Sequence, residues 1–124
     1  MRPILALRVE GLAIALGAAG TYVAVGGDLV LFVLLVLLPD VSIAGYLAGP
    51  RFGSVAYNLI HGLTLPVLVL AWGLWTGPSI GVLVGLAWIA HVGADRALGL
   101  GLKYPDAAFR DTHLQRVGTL KILE

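Results

Sequence analysis

The chain has 124 residues, of which 59% are hydrophobic and 12% charged, with a formal net charge of +1 and no cysteine. A soluble domain covers its surface with roughly 25% charged residues, so most of this surface faces something other than water, and a mean hydropathy of +0.95 points to a bilayer. The same figures exclude a disordered chain, nucleic-acid binding through a basic patch, and any disulfide framework or cysteine-based zinc site.

Four apolar stretches follow one another, each near the ~20 residues that cross a bilayer core: residues 4–25, 29–48, 54–75 and 80–98. Turn chemistry separates them at Gly26-Gly27-Asp28, Gly49-Pro50-Arg51 and Thr76-Gly77-Pro78-Ser79. Loops this short make sequential helices antiparallel neighbours. The expected fold is therefore all-α, an integral membrane antiparallel four-helix bundle over residues 1–98. A short amphipathic or irregular tail over residues 99–124 lies at the membrane surface. Arg2, Arg8, Arg51, Arg96, Lys103, Arg110, Arg116 and Lys121 all fall at the two termini or in the second loop. The positive-inside rule then makes both termini cytoplasmic, in a multi-pass protein of the cell (inner) membrane. A cleaved leader at the N-terminus is the less favoured reading of the first span. Gly45 with Gly49 and Gly81 with Gly85 have the spacing that lets helices approach closely, inside the bundle or in a homo-oligomer; packing within the bundle is preferred.

Ionisable and strongly polar side chains occur in all four spans: Glu10, Asp40, Asn58 and His61, then His91 and Asp95. Such groups are costly in hydrocarbon and mark function by default. At the helical rise per residue, Glu10, Asp40, His61 and His91 come out roughly 9 to 12 Å from the cytoplasmic ends of their spans, and Asp95 about 5 Å. Tyr57, His61 and Thr64 share a stripe of the third span, as Trp88, His91 and Asp95 do of the fourth. Pro39 and Pro66 release carbonyls nearby and allow kinks. The inference is a polar pocket in the cytoplasmic half, with plain apolar packing outside it.

Imidazole and carboxylate together supply acid–base chemistry and metal ligands. Glu10, Asp40, His61, His91 and Asp95 are the candidate catalytic groups. Tyr46, Tyr57, Asn58, Trp88, Arg96, Lys103 and His113 are candidates for ligand binding. His61, His91 and Asp95 are a possible set for a divalent metal such as zinc. The preferred function is an acid–base or metal-assisted enzyme that takes a lipophilic small molecule from the lipid bilayer, by hydrolysis, isomerisation or cyclisation. A small oligomeric proton, ion or solute transporter is the alternative, and a non-catalytic ligand-binding or haem-binding protein is a third. A transporter would carry polar residues through both leaflets, whereas these lie in one.

The stretch Pro39-Asp40-Val41-Ser42-Ile43-Ala44-Gly45-Tyr46 with Ala56-Tyr57-Asn58-Leu59-Ile60-His61 resembles a bacterial family of small integral membrane proteins. So do Trp88-Ile89-Ala90-His91-Val92-Gly93-Ala94-Asp95-Arg96, Gly101-Leu102-Lys103-Tyr104 and Phe109-Arg110-Asp111-Thr112-His113-Leu114. That family is a domain of unknown function, and the resemblance extends from about Glu10 to Gly118. It implies the fold, the membrane and the positions Glu10, Asp40, Tyr46, Asn58, His61, His91, Asp95, Arg96, Lys103 and His113, but no activity. Gln115 stands where the family pattern has glycine.

Overall fold

The computed structural model describes residues 2–77, 79–104, 112 and 114. The helices are α1 (Pro3–Ala24), α2 (Leu29–Leu37), α3 (Pro50–His61), α4 (Thr64–Thr76) and α5 (Ser79–Ala97), with an 11-residue 3-10 segment, Leu38–Ala48, continuing α2. They make four spans long and apolar enough to cross a membrane: Pro3–Ala24, Leu29–Ala48, Pro50–Thr76 and Ser79–Ala97. Large apolar side chains such as Leu16, Val30, Leu47 and Leu68 point outward, as a lipid-facing bundle requires.

The spine is α5, which packs on α1, α2 and α4. Its contact with α1 is backbone on backbone. A Cβ at Gly93 would fall 2.6 Å from the Ala15 nitrogen, and one at Gly11 would fall 2.7 Å from the Ala97 nitrogen. Gly81 and Gly85 are filled by Trp72 and Leu70 of α4, so that spacing is used inside the chain. Arg8 Nε donates to the Ala97 carbonyl at 2.8 Å and satisfies one of the free acceptors at the end of α5. At the other end of the molecule Tyr22 is fully buried, its hydroxyl donating to the Asp28 carbonyl at 2.7 Å, while the Asp28 carboxylate caps α2 at Leu31 N. The Gly26-Gly27 turn folds Gly27 onto the Tyr22 ring. Trp72 and Trp75 are exposed.

Two of the four spans are not continuous α-helix. The second changes to a 3-10 helix at Leu38, one residue before Pro39. The third is broken at Gly62-Leu63, with Pro66 in the first turn of α4, and it starts at Pro50 rather than at residue 54. The 3-10 segment packs along α3 as a hairpin around Gly49, whose φ of 107° needs glycine. A 3-10 helix rises about 2.0 Å per residue and an α-helix about 1.5 Å. About eight residues of the first and about eleven of the second each cover about 16 Å, so Asp40 and His61 stand level at the deep end of the hairpin. Such irregular backbone is tolerated in a membrane where it is buried in protein or lines a cavity.

After α5 the chain turns sharply. Gly99 is left-handed, with φ of 81°, and the bonds Gly99 N to Arg96 O and Leu100 N to Asp95 O close the helix as a Schellman cap. The chain then returns along α3. The Asn58 side chain pairs with the Lys103 backbone at both amide and carbonyl (2.6 and 2.8 Å), and Lys103 bridges Thr112.

Candidate metal centre

Asp40, His61, His91 and Asp95 come together from the 3-10 segment, α3 and α5. One ligand atom of each lies within 4.8 Å of all the others. His61 Nε2 is 3.1 Å from Asp40 Oδ1 and 3.7 Å from Asp95 Oδ2. His91 Nε2 is 3.3 Å and 3.2 Å from the same two oxygens. Both imidazoles are buried, Asp95 is mostly so, and the Asp40 side chain is half exposed.

Each imidazole is held by its other nitrogen. His61 Nδ1 faces the Tyr57 carbonyl at 3.0 Å, and His91 Nδ1 faces the Val36 carbonyl at 2.5 Å. A carbonyl only accepts, so each Nδ1 donates its hydrogen there and each ring turns its Nε2 toward the carboxylates. A carbonyl held on the far nitrogen is the usual outer support of a metal-ligating histidine. The Val36 carbonyl is open to this because Pro39, three residues on, has no N–H to return to it. Two more bonds from α5 close the other break. Trp88 Nε1 donates to the Ile60 carbonyl at 2.6 Å, and an Arg96 guanidinium nitrogen donates to the His61 carbonyl at 3.3 Å. One helix thus provides two members of the cluster and the donors that both broken spans lack.

Two imidazole nitrogens and two carboxylates converge there, bringing two negative charges when the carboxylates are ionised. Two protons or one divalent cation would balance that charge. His61 Nε2 is aligned for a hydrogen bond to Asp40. His91 Nε2 is buried and makes no aligned hydrogen bond, although both carboxylate oxygens are near. A tetrahedral zinc with bonds of about 2.0–2.1 Å has ligand–ligand edges of roughly 3.3–3.5 Å. The four imidazole-to-carboxylate separations, 3.1 to 3.7 Å, bracket that value, while the whole set of ligand atoms lies within 4.8 Å.

The other residues singled out in the sequence divide. Tyr57 stacks on His61 with centroids 3.7 Å apart and planes within 5°. Lys103 is buried with Nζ 4.8 Å from the Tyr57 ring centroid, one layer removed from the cluster. Asn58 is engaged with the Lys103 backbone, and Tyr46 lays its ring on Gly53. Glu10 is not brought into the cluster. The buried stripe of α1 is Gly11, Ala18 and Tyr22, and Glu10 lies one helical step off it, exposed. His113 lies outside the described residues. Ser42, which sequence reasoning passes over, has its hydroxyl 3.4 Å from His61 Nδ1. No α-helical periodicity pairs it with the site, because its segment is 3-10.

Residues 5–117 match the family described as Domain of unknown function (DUF4260). The chain belongs to that family. No curated protein and no solved structure matches it. The family fits the fold expected from the sequence and brings no chemistry with it, so the DUF4260 chain must be read from its own residues.

Proposed function

We propose that this DUF4260 protein is a membrane-embedded, metal-assisted hydrolase acting on a lipophilic small molecule, with its site in the cytoplasmic half of the bilayer. The observation that carries this reading is the convergence of two imidazole nitrogens and two carboxylates at metal-ligand spacing. His61, His91 and Asp95 are the fixed ligands. Imidazole nitrogen with carboxylate oxygen suits zinc, and a dication cancels the charge of the two aspartates inside the membrane. Such an ion supplies Lewis-acid polarisation of a carbonyl and lowers the pKa of a water molecule.

Asp40, the half-exposed member, would be the residue of the four free to act on an incoming group. Its carboxylate takes the proton of the attacking water as the new C–O bond forms. It returns that proton to the leaving alcohol as the old bond breaks, so no other reactant is required. The span sequences favour an enzyme over a transporter, since from this level to the far loops they hold no Asp, Glu, Lys, Arg or His. Against haem, the carboxylates fill the space beside the rings where a macrocycle would lie.

The test is turnover of long-chain aryl esters by zinc-loaded protein in nanodiscs. Hydrolysis that stops with a chelator, and that Asp40→Ala abolishes while its zinc is retained, is the expected result. Zinc-loaded wild type that cleaves no ester, amide or phosphoester of any chain length would overturn the reading.

A further inference from the structure

Beside the cluster lies a cavity of about 380 Å³, at the small end of the range for ligand pockets. Leu38, Val41 and Ser42 form one wall and Ile60, Val84 and Trp88 the other. Its polarity is graded. Leu38 and Val41, 59% and 66% exposed, belong to a membrane span, so the mouth on their side opens to hydrocarbon. The indole N–H of Trp88 is already given to Ile60, which leaves only its ring for the cavity. Among the described residues, Ser42, which contacts His61, is the polar side chain in the lining, and Asp40 lies in sequence between the lining residues Pro39 and Val41. Through Ser42, the inner end of the apolar cavity lies next to the charged cluster.

We propose that this cavity is a lateral slot for one linear hydrocarbon chain, which enters from the bilayer and brings the polar group of a single-chain amphiphile to Ser42 and Asp40. The proposal rests on the hydrolase reading for what happens at the polar end, and on the cavity alone for the chain. The volume suits one chain segment rather than the paired tails of a membrane phospholipid. Val84 of α5 and Ile60 of α3 both line the slot, so their bulk sets the chain that fits.

The probe is dibrominated stearate, titrated into nanodiscs of unbrominated lipid that hold the Trp72→Phe/Trp75→Phe protein, where Trp88 is the one remaining tryptophan. Quenching of Trp88 is expected to saturate at low mole fraction of probe. Filling the slot with Val84→Phe, or from another helix with Ile60→Phe, is expected to raise the half-saturation point by roughly tenfold or more, the scale set by side-chain fit in an apolar pocket. Two variants from different helices guard against one failing to fold, and each is checked by its melting curve. Quenching that only rises in proportion to bulk probe, and that neither variant alters, overturns the slot. The same titration in His91→Ala separates the two ideas. Saturable quenching there, without bound metal, upholds the slot whether or not the hydrolase reading stands; its loss in that variant, with the fold intact, overturns a slot that binds the chain by itself.

Discussion

Replacing His91 or His61 by alanine is expected to weaken zinc binding by about a hundredfold to a thousandfold. The size follows from what a ligand contributes. Structural zinc sites with four ligands bind with about 10–16 kcal/mol in all, or roughly 2.5–4 per ligand, and each 1.4 kcal/mol is a factor of about ten. Both rings are buried, and each is fixed by a carbonyl on its far nitrogen, so neither can be replaced by a side chain swinging in from elsewhere. Asp40 differs because it is half exposed and stands at the cavity, where water can take its position. Asp40→Ala is expected to cost about tenfold or less, the size of an outer or replaceable contact. Competition titration against a chelating dye, on protein in nanodiscs, measures all three. Equal losses for Asp40 and the two histidines would make the site a closed structural one, and no loss in any variant would remove the metal altogether.

The second large effect concerns stability, and its sign separates a functional cluster from a packing network. If the four side chains served only to hold helices together, replacing both aspartates by leucine would unfold the chain. Without a cation, however, the cluster crowds two carboxylates and two imidazoles together in a low-dielectric environment, and only protons shared among them balance the charge. Replacing buried charged groups by apolar ones of similar volume is often neutral or stabilising by about 1–4 kcal/mol. Asp40→Leu/Asp95→Leu is therefore expected to melt in detergent at or above the temperature of metal-free wild type. Zinc at about a hundred times its dissociation constant should stabilise wild type by about 2.7 kcal/mol and leave the double variant unmoved. A double variant that fails to fold, or a wild type whose melting ignores zinc, would place the four residues among the packing interactions.

Much of this architecture is legible in the chain. The spans and their turns follow from apolar length and from the glycine and proline punctuation. Asp40, His61, His91 and Asp95 stand out because each is expensive in hydrocarbon. The spacing of His91 and Asp95 places those two on one stripe of α5, and the exit turn at Gly99 reads as a helix stop. The features that are not legible have a physical cause in each instance. The 3-10 course of Leu38–Ala48 is a tertiary outcome: Pro39 weakens the α-helical bonding, and packing along α3 selects the longer rise. Ser42 is hidden because its position is periodic in no α-helix. Glu10 has the right depth but the wrong azimuth, and depth is the stronger signal in a span with little amphipathic pattern. The Gly11–Gly93 contact is silent in the sequence since its two glycines lie on different helices, and a local spacing motif marks neither.

Backbone carbonyls make the site more than four polar residues at one level. Val36, Tyr57, Ile60 and His61 each present an oxygen at or near a break, and His91, His61, Trp88 and Arg96 meet them. The irregular helices and the orientation of the imidazoles are thus one arrangement, in which the breaks supply the acceptors that fix which ring nitrogen faces inward.

X-ray absorption at the zinc edge, on protein loaded with one equivalent in nanodiscs, probes that arrangement at the atoms concerned. The expected spectrum has a first shell of four light atoms near about 2.0–2.1 Å, with the outer-shell scattering of two imidazoles that falls to one in His91→Ala. A shell of oxygens without imidazole scattering, or zinc that washes off wild type as readily as off His61→Ala/His91→Ala, would contradict the assignment of these four side chains as a metal centre.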